Sequence, residues 1–96
     1  MVIFDEERFI LARSTIKVLA ALYDHKDKNI DRKYLILYTD LYHNTIYKTI
    51  KKLISCDLVK DDGVFIRLTE KGELIASKFN EAVNVFKAGK TDKSQH

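Results

Sequence analysis

Residues 41–72 read LYHNTIYKTIKKLISCDLVKDDGVFIRLTEKG. Ile46, Ile50, Leu53 and Ile54 recur there at the spacing of one helix face, which predicts a helix from about His43 to Cys56. Tyr42 or Asn44 stands at its start, Asn44 being the better capping side chain. Asp57 falls where the helix must stop, a position better suited to Gly or Asn. Leu58–Lys60 and Val64–Leu68 then form two short strand-like runs about Asp62-Gly63, a strong two-residue hairpin signal. Thr69 reads as the N-cap of a further helix, in which Ile75, Phe79, Ala82, Val83 and Phe86 make an apolar stripe.

Upstream, Asp5 caps a first helix whose opening acids Glu6 and Glu7 complement the helix dipole. Along it, Phe9, Ala12, Ile16, Leu19, Ala20 and Tyr23 form one stripe. Leu11, Thr15, Val18 and Leu22 form a second, roughly 120° around the helix. Two stripes predict a second covering surface, either a second copy of the chain or more of the same subunit. Residues 24–29 (DHKDKN) form a polar connector. Asp31 reads as the N-cap of a second helix over about Arg32–Tyr38, with Ile30 packing on Leu35 as a hydrophobic staple. Residues 89–96 (GKTDKSQH) lack any large apolar side chain and read as a flexible tail after a single domain spanning 1–88. The expected class is mainly α with a small β-hairpin, in the order α-α-α-β-β-α.

The whole chain has 96 residues, enough for one modest core. Its 46% apolar share is that of a globular protein. With no Pro and 3 Gly, it favours helices over elaborate loops. Lys and Arg total 17 against 14 acids, a net charge of +3. From Leu41 to Cys56, Lys48, Lys51 and Lys52 stand without a single acid, so the remainder is neutral by difference. The acidic residues 5–7 oppose a basic signal-peptide start, and the apolar run Val18–Tyr23 is too short to span a bilayer. A cytoplasmic, soluble protein is the expectation. The single Cys56 forms no internal disulfide and reads as a small, partly buried side chain, an intersubunit bridge being the alternative.

The element order and two strings resemble winged helix-turn-helix proteins. Asn44-Thr45-Ile46-Tyr47-Lys48 with Leu53 and Leu58-Val59 is similar to a recognition helix. Arg67-Leu68-Thr69-Glu70-Lys71-Gly72 is similar to the exit from a wing. Both look like small dimeric repressors of the MarR, PadR and ArsR-like groups, and the size and Lys/Ile/Tyr-rich composition look most like archaeal or archaeal-virus members. Resemblance covers roughly residues 14–86. Two departures stand out: Asp57 occupies a position often held by Gly, and Asp61 and Asp62 replace the basic wing tip that many members carry. Phosphates repel such a tip.

The face opposite Ile46, Ile50 and Leu53 carries Asn44, Thr45, Lys48, Lys51, Lys52 and Ser55. Asn can pair with adenine, Thr can meet a thymine methyl or a phosphate, and Lys can bond guanine or phosphate. Residues near the helix start reach base edges and later ones meet the backbone. His43, Asn44, Thr45, Tyr47 and Lys48 are therefore candidates for base contact, with Lys51 and Lys52 as phosphate neutralisers. Hairpin register about Asp62-Gly63 puts Lys60, Phe65 and Arg67 on one face and Val59, Val64 and Ile66 on the other, so that Lys60 and Arg67 flank a minor groove. Arg32 and Lys33 open the second helix, whose free N–H groups suit a phosphate.

His25, His43 and His96 lie far apart without ligand-spaced partners, which argues against a metal site. The five tyrosines, from Tyr23 to Tyr47, read as core edge. No nucleophile–base set, carboxylate pair or Gly-rich phosphate loop occurs, so neither an enzyme nor a cofactor is expected. No residue set points to a small-molecule effector. The resemblance implies sequence-specific binding of double-stranded DNA by a homodimeric transcription regulator, with the third helix in the major groove. The alternative is a protein-interaction module of the same fold, favoured by the low net charge and the acidic tip.

Overall fold

A computed structural model describes the backbone of residues 5–94 and the side chains of residues 7–88. Its elements are α1 (Asp5–Ile10), α2 (Arg13–Asp24), α3 (Arg32–Thr39), α4 (His43–Ser55), β1 (Val59–Asp61), β2 (Ile66–Leu68) and α5 (Glu70–Ser94). The expected first helix is split at Leu11–Ala12. Ala12 takes an extended conformation and offers no capping side chain, so no local signal marks the break. Packing makes it: Phe9 and Ile10 turn back against the core. The side chains of Asp5 and Glu6, read as cap and dipole partners, lie outside those described.

Helix α2 is the hub, packing against α3, α4, α5 and β2. Thr15, Val18, Leu19, Ala21 and Leu22 are its buried residues, so Leu19 and all of the second stripe but Leu11, which is 52% exposed, serve the core of one subunit. Ile30, Leu35, Ile46, Ile50, Leu53, Leu58, Val59 and Ile66 complete that core. Asp31 accepts the Tyr34 N–H at 2.8 Å, and the staple pair Ile30 and Leu35 is buried behind it. Lys17 donates to the Thr39 carbonyl at 3.2 Å, meeting the end of α3 with a cation.

Helix α4 ends in a Schellman motif. The Leu58 N–H donates to the Leu53 carbonyl and the Asp57 N–H to the Ile54 carbonyl, both at 3.0 Å. Asp57 supplies the left-handed residue this motif needs, at φ 61°. The motif aims Leu58 into the core and starts β1. Strands pair antiparallel as Val59↔Leu68, Lys60↔Arg67 and Asp61↔Ile66. The connection is therefore Asp62–Phe65, four residues rather than two. Asp62 Oδ1 accepts the N–H groups of Val64 and Phe65 at 2.9 and 2.8 Å, and Asp61 Oδ1 accepts that of Gly63 at 2.8 Å. These local acceptors favour the longer turn over the two-residue alternative. A slip of two residues preserves facing for Val59, Ile66, Lys60 and Arg67, but leaves Val64 in the loop and exposed. The Ile66 N–H also donates to the Ile30 carbonyl at 2.7 Å, tying the hairpin to the entry of α3.

Thr69 caps α5: its Oγ1 accepts the Gly72 N–H at 3.0 Å and donates to the Asp57 carbonyl at 2.6 Å. The expected end of this helix near residue 88 gives way to a helix running to Ser94. A lone Gly89 costs such a helix only about 1 kcal/mol, and no Pro interrupts it. Within it Ala76 is buried, Ile75 and Phe79 are half-buried, and Val83, Val85 and Phe86 are exposed.

Candidate nucleic-acid interface

The direction of α4 is set by Ile46, Thr49, Ile50 and Leu53, all buried. At 3.6 residues per turn, the middle of the opposite side is then Asn44, Lys48, Lys51 and Ser55. All four are exposed. Ile54 does not join the buried row; at the last turn it stands 42% exposed. His43 and Tyr47 flank the exposed side towards the hairpin. Thr45, half-buried, and Lys52 flank it towards α1, where Lys52 Nζ lies 5.5 Å from the Phe9 ring centroid. Phe9, Ser14, Thr45, Lys48, Thr49 and Lys52 line a shallow hollow on that side. Tyr42 is the N-cap residue of α4 without a side-chain cap bond, so the better-capping Asn44 falls at the second residue of the helix, within its first turn.

The hairpin presents Lys60 and Arg67 as a directly opposed, exposed pair. Arg67 donates to Asn29 Oδ1 at 2.9 Å, which holds its guanidinium beside the α2–α3 connector. At the start of α3, Lys33 is exposed, whereas Arg32 is drawn into an ion pair with Asp61 and lies over the Tyr47 ring, 5.5 Å from its centroid. The phosphate role expected of Arg32 is thus in competition with an internal partner. Both wing acids are similarly engaged. Asp61 holds Arg32, and Asp62 is held below the usual carboxylate range by the N–H groups of Phe65 and Val64. The Asp61 charge is thus offset by Arg32, whereas Asp62 stays exposed and ionised.

One surface feature escaped the sequence pattern: Tyr42, which read as core edge, is 85% exposed. Tyr47, named for base contact, is 59% exposed. The signal available was position: the residue before a helix rarely packs under it. Tyr34 and Tyr38 do pack, stacked at 5.9 Å with His25 edge-on to both rings. Among the described residues, no group of three His, Cys, Asp or Glu side chains is placed to hold a metal ion, and no helix is long and apolar enough to cross a membrane.

A second surface lies away from α4. Ile16, Ala20 and Tyr23 of α2, with Ala76, Phe79 and Val83 of α5, line a groove to which Asp24, Asn80 and Lys87 add polar groups. Ile16 and Tyr23 are only half-covered and Ala20 is exposed. The first of the two stripes is therefore left incompletely buried by this subunit.

No protein-family model and no curated protein sequence matches the chain. Solved structures do match. AF1382 from Archaeoglobus fulgidus superposes with a TM-score of 0.72 at 20% identity, over 82% of this chain and 94% of that one. MepR, a transcription regulator of the Staphylococcus aureus multidrug efflux pump MepA, gives 0.75 at 16% identity, over 92% and 69%. MepR in its complex with DNA gives 0.71 at 17%, over 93% and 77%. Likeness at these identities is one of fold. The architecture is the winged helix-turn-helix, in which α3 and α4 are the helix-turn-helix and β1–β2 the wing.

Proposed function

We propose that this protein is a sequence-specific double-stranded DNA-binding transcription regulator that acts as a homodimer inside the cell. The observation that carries the reading is the orientation of α4. Its apolar edge is buried, and Asn44, Lys48 and Lys51 face outward with no acid among them on that helix. A fold shared with a regulator solved on DNA supports it. In this reading α4 enters the major groove. His43, Asn44, Thr45, Tyr47 and Lys48 meet base edges, and Lys51 and Lys52 neutralise phosphates. Lys33 at the start of α3 meets the backbone, and Lys60 and Arg67 border the adjacent minor groove.

The dimer is formed by residues 1–88 through the groove of α2 and α5, extended by the exposed Val83, Val85 and Phe86. Two-fold symmetry then places half-sites about 34 Å apart. Anisotropy titration against random duplex at about 50 mM salt separates this reading from a protein-interaction module. Salt-sensitive micromolar binding is expected, and its absence would overturn the reading. Selection from a random duplex pool, with the mass measured in solution, should return an inverted repeat and a dimer.

A further inference from the structure

Three elements of the DNA-facing side meet at one point. Arg32 opens α3, Asp61 ends β1, and Tyr47 lies on the wing-side flank of α4. Arg32 Nη2 donates to Asp61 Oδ2, and the guanidinium carbon lies 5.5 Å from the centre of the Tyr47 ring. Asp61 is the better covered partner, its side chain 13% exposed against 36% for Arg32. Its second oxygen is also committed, to the Gly63 N–H. Arg32 Nε is buried without a hydrogen-bond partner. So the guanidinium reaches Asp61 and the ring at the expense of one of its own donors. Tyr47, with the cation over its ring, remains 59% exposed. It shares a helical row with His43 and Lys51, one turn to either side.

We infer that Asp61 is a positioning residue for base reading: it clamps Arg32 onto Tyr47 and so fixes the Tyr47 side chain at the groove-facing rim of α4. This rests on the DNA-binding reading above. A tyrosine has few torsions to order, and a cation on its face removes much of that freedom before DNA arrives. A pre-set ring discriminates among bases; a loose one contacts them indifferently. The clamp also explains an acid on a surface meant for a polyanion. Asp61 cancels Arg32, and without it Arg32 becomes one more phosphate ligand.

The test is anisotropy titration of the full chain on its pool-selected site and on random duplex, between 50 and 200 mM salt. Asp61→Asn should bind random duplex more tightly, with a salt slope steeper by about one, and lose roughly tenfold in the specific-to-random ratio. Arg32→Lys keeps the charge but not the planar stacking, and should lose the same ratio with random binding unchanged. Tyr47→Leu should lose it too, and Asp61→Asn combined with Tyr47→Leu no further. Asp62→Asn makes the same charge change without touching Arg32, and should keep the ratio. Equal effects of Asp61→Asn and Asp62→Asn, or additive losses in the double variant, would overturn the clamp alone. Absence of duplex binding by the wild-type chain would remove it together with the DNA-binding reading.

Discussion

Gly72 sits so close to Leu58 that a β-carbon on it would stand 1.9 Å from the Leu58 carbonyl oxygen. The first turn of α5 is thus pressed against the backbone entering β1, and the Leu68-Thr69-Glu70-Lys71-Gly72 string acquires a mechanical meaning. Thr69 bonds its own helix and the Asp57 carbonyl, while Gly72 allows the approach that makes both bonds reachable. In open helix Gly→Ala stabilises by about 1 kcal/mol. Here the sign reverses, because the atom met is backbone and cannot swing aside. Gly72→Ala should destabilise by about 2 kcal/mol, seen as a lower urea midpoint with an unchanged m-value.

Asp57 offers the opposite case. It fills the left-handed position of the Schellman motif at φ 61°, where a side chain costs about 1 kcal/mol and Gly costs little. Only its backbone is used, by the Ile54 carbonyl and by Thr69. Asp57→Gly should therefore raise stability by about 0.5–1 kcal/mol, despite the looser unfolded chain. A midpoint that falls would mean the carboxylate has a role that the backbone bonds do not reveal.

Legibility of the fold varied with how local its cause was. Asp31 with the Ile30–Leu35 staple, Thr69 as a cap and the buried Ile46/Ile50/Leu53 row are all written in short spacings, and each is found as read. The break at Leu11–Ala12 carries no Gly, Pro or cap; there Phe9 and Ile10 pack against the core, a tertiary cause that no local spacing records. The hairpin was half legible: Asp62-Gly63 marks the turn, but its length was decided by two carboxylates competing for loop N–H groups. At the candidate interface, the exposure of Asn44, Lys48 and Lys51 followed from helix geometry. The engagement of Arg32 with Asp61 joins residues 29 positions apart and has no sequence signature.

Asp62 links the wing to pH. Its carboxyl is held below the ordinary range mainly by the Phe65 and then the Val64 N–H, with desolvation opposing. A depressed folded value means that its stabilising contribution is fully present above the ordinary carboxylate pKa and is lost as pH falls through the folded value. The loop should loosen in acid before the core does. Intrinsic amide exchange slows on acidification, so the readout is protection relative to it: Val64 and Phe65 should lose protection as pH falls, while Leu53 and Leu58 keep theirs. Asp62→Asn, which keeps an acceptor oxygen, should remove that pH dependence.

Lys51 projects from the centre of the exposed side of α4 and carries no ion pair among the described residues. On the DNA-binding reading it neutralises one phosphate, so Lys51→Ala should lower the slope of log affinity against log salt by about 0.9. Sequence preference should not change, because a phosphate contact carries no base information. An unaltered slope would take Lys51 off the interface.

The groove between α2 and α5 gives the dimer its own test, separable from DNA contact. Val83 is 46% exposed at its edge, on a stretch of α5 whose neighbours on both sides face solvent. Glu is a good helix former, so Val83→Glu leaves α5 intact while setting a charge where two apolar surfaces would meet. Light scattering should show the mass fall from dimer to monomer, with helical content unchanged by circular dichroism. Because the two α4 helices would then bind independently, affinity for the inverted repeat should drop roughly a hundredfold or more, while affinity for a single half-site stays as it was. A variant that remains a dimer would place the subunit contact elsewhere. One that loses half-site binding as well would show that α5 supports the position of α4 rather than the pairing of subunits.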